Sequence, residues 1–216
     1  THYIGKCHWD GAARLNTPDI EGNRGYVKPG WRRRGFTTFE GHNTGHRYWS
    51  TANYYDNGDP MNIDYIGTYE PIVETDLAIN FIENNKHRPW MCFLSWSPPH
   101  PPSHNPPPAF FYHEVLEEHR RPNVPAGNPS PERLAGYFGH CEALDLEFGR
   151  LMDELRRMGL DKNTLVVFTS DHGDLISSHD PTLQGLTKNH PQEESLHVPL
   201  FMRWPERIAP GQTPDT

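Results

Sequence analysis

Four short segments carry residues whose types and spacing suit chemistry on an anion. Asp171-His172-Gly173 follows an apolar hexapeptide, Thr164 to Thr169 (TLVVFT). In open α/β sheets ligands sit beyond the carboxyl ends of the strands. A carboxylate beside an imidazole at such a point makes a pair of metal ligands, and Gly173 allows a tight turn. The same residues also read as a helix start, with Ser170 or Asp171 as the cap. His100 stands inside PPHPP, just past a second apolar run, Trp90 to Trp96 (WMCFLSW). The flanking prolines fix φ and hold an imidazole rigidly at a strand end, or else they make a polyproline loop with the ring in solvent. Lys6 and His8 lie at i and i+2, which on a strand puts a cation and a titratable base on one face. Lys188, in TKNHPQEESLHVPL, reads on its own as a surface lysine.

The elements that must position these residues follow from periodicity. The chain opens on a strand-like segment that carries Lys6. Ile72, Val73, Leu77, Ile79, Phe81 and Ile82 recur at mostly helical spacing and stop before Pro89, so a helix leads into WMCFLSW. That run, with its β-favouring aromatics, reads as a buried strand ended by Pro98 and Pro99. From about Glu132 to Met158, Leu134, Phe138, Cys141, Leu144, Phe148, Leu151, Leu155 and Met158 recur at three- and four-residue steps. Pro131 suits the first turn of that helix and Gly159 its C-terminal cap. TLVVFT then reads as a second buried strand and Val198 to Trp204 as a third. The alternation predicts an α/β sandwich with a central, mostly parallel or mixed sheet flanked by helices. One domain is expected over residues 1–216, with a loop-rich stretch over 10–68 and the α/β core over 70–210.

Composition narrows the partners. Twenty Lys plus Arg against 28 Asp plus Glu give a net charge of −8, and the one basic cluster, Arg32 to Arg34, is brief, so nucleic acid is excluded as a default partner. Eighteen Gly and 22 Pro in 216 residues point to long connecting loops around a modest core. No run of about 18 apolar residues exists to span a bilayer. Three scattered cysteines, Cys7, Cys92 and Cys141, make neither a disulfide framework nor a zinc cluster, and they leave the compartment open. The strand-like opening and Pro-rich close read as cuts through a larger protein.

In this order the segments resemble the sulfatase family. The match runs from GKCH (Gly5 to His8), through PPHPP and a long helix with an inward-facing Asp, to GLDKNTLVVFTSDHGD. It ends with Lys188 five residues before Glu193-Glu194-Ser195, and with VPLFMRWP. The resemblance implies a hydrolase of sulfuric esters on a sulfated small molecule or glycan, in a periplasmic, extracellular or lysosomal setting. It implies that Asp171 and His172 hold a divalent ion, Ca2+ by the family's habit, with Mg2+ or Mn2+ as alternatives. A carboxylate oxygen is the ligand calcium prefers, whereas a His in the second place suits it less than an Asn. Lys6 and Lys188 fall on the sulfate-contacting lysines, whose charges offset those of the sulfate oxygens as charge develops. By the same resemblance His8 is the base that helps expel sulfate from the covalent intermediate. His100, with Lys188, binds sulfate and helps protonate the leaving alcohol.

The nucleophile departs from the family pattern. Sulfatases use a formylglycine made from the Cys of a Cys-x-Pro-x-Arg segment, and none of the three cysteines here has that context. The paired Asp ligands of the family's opening strand and its smaller C-terminal domain are absent too. The expectation is a fragment that begins after the nucleophile, inactive alone. Two other readings stand beside it: a phosphonate or phosphate ester hydrolase of the same superfamily, and a truncated, non-catalytic protein that binds an anion or metal. The aromatic-rich stretch from Asp10 to Thr68 suits stacking on a sugar, and His179 is a candidate pocket residue close to the metal motif.

Overall fold

The computed structural model describes residues 1–9, 27, 29–43, 45, 48–49, 67–103, 105–110, 121–124, 130–178, 188 and 191–213. Strand β1 (His2–Lys6) lies between β2 (Thr38–His42) and β3 (Cys92–Ser95), parallel to both. Lys6 pairs with His42 in register, and Gly5 with Gly41 and Ser95. A second sheet pairs β4 (Val166–Thr169) with β5 (Leu200–Arg203), antiparallel. The result is a mixed α/β fold with a mostly parallel sheet, as its alternating pattern predicts.

On one face of β1, Tyr3 packs with Phe39 and Val27, and its ring stacks on those of Phe39 and Phe93 at 5.5 and 5.2 Å. Helix α1 (Glu70–Asn85) is seated by Pro71 in its first turn and contacts β1 and β3. Its Ile82 meets Met152 and Leu155 of α2 (Pro131–Arg157). Both ends of α2 are capped by its own sequence. Ser130 Oγ accepts from the Arg133 N–H, while past the other end Gly159 N–H reaches Arg156 O and Leu160 N–H reaches Leu155 O, a Schellman pair. The two aspartates of α2, Asp145 and Asp153, are exposed, so the inward acid is not an aspartate. It is Glu147, which Arg150 Nη2 bonds at 2.6 Å.

The expectation that WMCFLSW and TLVVFT are fully buried strands is corrected. Phe93, Leu165 and Val167 are each close to half exposed. Across β5 the apolar side chains are more open still, with Phe201 65% exposed. No helix among the described residues is long and apolar enough to cross a membrane.

Candidate functional site

β1 delivers Lys6 to the carboxyl end of the parallel sheet through a glycine that nothing larger could replace. A Cβ on Gly5 would stand 2.2 Å from Ser95 O and 3.0 Å from Glu74 Oε1, and its φ is +93°. The Lys6 carbonyl is then held by Tyr3 Oη at 2.6 Å and Ser95 Oγ at 2.8 Å. Burial, then the charge of Lys188, push the Lys6 ammonium down to about 8, against the pull of Asp171 and Glu70. The strand ends at Lys6. His8 lies beyond it, exposed and with φ 52°, so the strand alternation that would put both side chains on one face does not extend to it. Its backbone N–H instead donates to Asn43 O at 2.8 Å.

His100 follows β3 in the proline-rich loop. Its Nδ1 lies 2.7 Å from the Pro101 carbonyl. A carbonyl only accepts, so the proton of the neutral ring sits on Nδ1 and Nε2 carries the lone pair. Burial pushes this imidazole down to about 4, and the charges of Lys188, Lys6 and His172 push the same way. Lys188 is no ordinary surface lysine: burial lowers its affinity for a proton, while Asp171 and Asp174 support its charge. Electrostatic pairs thus link these residues at the strand ends: Lys6 with Lys188 and Asp171, Lys188 with Asp171, and His100 with both lysines and His172.

Asp171 and His172 follow β4, and residues 170–178 form turns and irregular backbone rather than a helix, so neither Ser170 nor Asp171 caps one there. Gly173 is needed for close approach rather than for turn geometry. A Cβ there would lie 2.0 Å from Glu194 O, and its N–H donates to Ser195 O at 2.9 Å, stitching the loop to α3 (Glu193–Leu196). His172 Nδ1 is 2.8 Å from Gly173 O, and its Nε2 is 3.5 Å from Asp171 Oδ2. In the neutral ring two lone-pair atoms face each other, an arrangement that a cation between them or a proton on the ring relieves. This donor pair fits a divalent ion, with one oxygen ligand and one nitrogen. Asp174, which the motif reading passed over, is a partly buried carboxyl raised above its ordinary value by burial. It accepts the Ile176 N–H at 2.8 Å and senses His172, Lys188 and Arg121. Its signal in the sequence was the second aspartate of Asp-His-Gly-Asp.

A second group also escaped the sequence reading. His42, Glu70 and Glu74 are fully buried, His42 Nε2 is 3.3 Å from Glu70 Oε1, and one ligand-type atom from each lies within 4.8 Å of the others. Two carboxylates and an imidazole are a donor set a metal ion accepts. The clue was Glu70 and Glu74, one helical turn apart on an otherwise apolar face of α1. Cys92 is no nucleophile, since burial pushes its thiol up to about 12. His179 lies outside the described residues.

A family profile described as Sulfatase matches residues 1–216. The ulvan-active sulfatase of Formosa agariphila is 30% identical over 212 residues, covering 95% of this chain and 38% of the relative. The endo-4-O-sulfatase of Bacteroides thetaiotaomicron is 29% identical, covering 96% of this chain and 44% of the relative. A solved Bacteroides fragilis structure, yidJ, put forward as a sulfatase, superposes with a TM-score of 0.81 at 28% identity, over 97% of this chain and 48% of that one. The chain therefore spans about two fifths of the length of the curated relatives it matches. With a family match along its whole length and strand ends that gather two lysines, a neutral histidine and an Asp-His pair, this chain belongs to the sulfatase family.

Proposed function

We propose that the chain is the sulfate-binding and leaving-group half of a carbohydrate sulfatase, which hydrolyses a sulfate ester once the rest of the protein is present. The observation that carries this is the mutual electrostatic set of Lys6, Lys188 and His100 at the strand ends. Two desolvated cations are costly side by side, and a sulfate ester between them removes that cost. Their charges would also grow in value as negative charge gathers on the leaving oxygen.

His100 is neutral in the empty site because burial and the neighbouring cations disfavour its charge. A bound sulfate offsets those cations, so the ring regains affinity for a proton at Nε2, the ring nitrogen that would pass it to the leaving alcohol. His8, two residues past Lys6, is assigned the complementary proton acceptance. Asp171 and His172 would hold the divalent ion, and Ca2+, Mg2+ or Mn2+ there would supply positive charge toward the sulfate oxygens. A formylglycine from outside this chain would supply the attacking oxygen. Two curated relatives are named for ulvan and for an endo-acting 4-O-sulfatase activity, which supports a sulfated polysaccharide or oligosaccharide as substrate.

The test is a sulfated-oligosaccharide assay of the complete protein, with Lys188→Ala and His100→Ala beside it. Loss of turnover in both variants supports the reading. Turnover that survives both, or selective cleavage of a phosphonate monoester in place of the sulfate, sinks it.

A further inference from the structure

The loop that bears His100 is short of donors. Pro98, Pro99, Pro101 and Pro102 have no N–H, so beyond the turn bond from His100 N–H to Ser97 O at 3.3 Å the loop draws on donors from elsewhere. Two come from one dipeptide far away in sequence. Tyr48 Oη donates to the His100 carbonyl, and Trp49 Nε1–H donates to the Asn105 carbonyl at 2.7 Å.

The dipeptide is itself anchored. Glu70 N–H donates to Tyr48 O at 2.8 Å and Gly67 N–H to Trp49 O at 3.0 Å, joining it to the start of α1. Tyr48 is buried and packs edge-on against His140 of α2 at 4.9 Å, and the Trp49 ring lies 5.4 Å from that of Tyr69. Tyr69 Oη bonds His140 Nδ1 at 2.6 Å, so both helices brace the pair.

We propose that Tyr48 and Trp49 are positioning residues that clamp the proline-rich loop at two points, the carbonyls of His100 and Asn105, and so fix the aim of the His100 imidazole. The clamp acts on the backbone and touches no substrate. It matters because the His100 Nδ1 proton is committed to the very next carbonyl, that of Pro101. The direction of Nε2 therefore follows the local backbone, and a loop free to rock would carry the ring with it. This rests on the assignment of His100 as the group that serves the leaving alcohol.

The experiment is NMR of the chain with 15N-labelled histidine, compared for wild type, Tyr48→Phe and Trp49→Phe. Wild type should show one His100 tautomer, protonated at Nδ1 and neutral at pH 6. Lys6, Lys188 and His172 surround that ring in every variant. Tyr48→Phe keeps the ring packing and removes one bond, so the fold should hold while the His100 signals move toward a mixture of tautomers. In the complete protein the same change should lower kcat by up to about tenfold, the worth of one hydrogen bond, with KM within about twofold. Trp49→Phe should displace the same signals and no others. His100 signals identical to wild type in either folded variant overturn the clamp. Unchanged turnover in His100→Ala would overturn the role given to His100 under the proposed function, whereas the tautomer readings of Tyr48→Phe and Trp49→Phe still decide the clamp.

Discussion

Lys6 and Asp171 each stand just past the apolar part of a strand, yet the supports beneath them differ. β1 is paired on both sides, and Ile4, Phe39 and Tyr3 around it are buried. β4 has one described partner, and the pair shows Val167, Phe201 and Met202 to solvent. Lys6 is accordingly desolvated down to about 8, whereas the Asp171 side chain is 85% exposed. The difference teaches that the residues assigned to the sulfate and to the metal under the proposed function rest on supports of unlike packing. Lys6 is carried by a packed core, while Asp171 and His172 follow a sheet with apolar side chains open to solvent.

The largest effects should fall on the cations. In the complete protein Lys188→Ala should cost about 10²–10³ in kcat, the range for losing one preorganised group that stabilises developing charge. The chain alone, lacking the nucleophile context, should give no steady turnover of a fluorogenic aryl sulfate above background. Turnover that disappears in Lys188→Ala would break this and demand a nucleophile among the 216 residues. Stability should divide the two sheets in the same direction. Phe39→Ala should cost about 3–5 kcal/mol in urea unfolding, the usual range for a buried aromatic, and Phe201→Ala less than about 1 kcal/mol. Equal losses would mean that β4 and β5 are as well packed as β1.

The pH dependence comes next in size. His100 titrates near 4 in the folded chain and near 6.5 ordinarily, so between those values the unfolded chain binds the extra proton. Stability should therefore fall as pH drops from 6.5 to 4, by about 1–2 kcal/mol once solvent screening of this partly exposed ring is allowed for. His100→Gln should flatten that limb. Lys6 predicts the opposite edge for binding. Its charge is lost as pH rises through about 8, so affinity for inorganic sulfate should decline there, and unchanged affinity at pH 9.5 would place the anion elsewhere.

Much of this was legible in the residues. The stripe from Leu134 to Leu155 and its Ser130, Pro131 and Gly159 punctuation specify α2 locally, and PPHPP and SDHGD mark strand ends on their own. What the sequence hid depends on long-range pairing. Thr38–His42 (TFEGH) has a central Gly-flanked pattern with no clear alternation, and it becomes a strand because β1 pairs with it. Whether WMCFLSW is buried depends on what covers it, which no local pattern states. Tyr48 reaches His100 across 52 residues, so its role exists only after folding. The shared strand face expected for Lys6 and His8 does not form, because the period of two assumes that the strand continues past Lys6, where β1 ends.

The smallest effect expected is calcium binding by the chain alone. Calcium fills its shell with about six to eight oxygens, and here one exposed carboxylate and one imidazole nitrogen offer themselves at 3.5 Å. Asp174 adds charge nearby, but one of its oxygens already accepts the Ile176 N–H. An imidazole also favours manganese or zinc over calcium. Calorimetry with Ca2+ should therefore detect no sub-micromolar site, and Asp171→Ala should change the titration little. Mn2+ should bind more tightly than Ca2+, and that margin should shrink in His172→Asn, which exchanges the nitrogen for an amide oxygen. Sub-micromolar calcium affinity lost in Asp171→Ala would show that the loop after β4 is as well prepared as the end of β1. If that affinity survived Asp171→Ala but vanished in Glu70→Gln, the ion would instead belong to the buried His42, Glu70 and Glu74 group, on the packed side of the comparison.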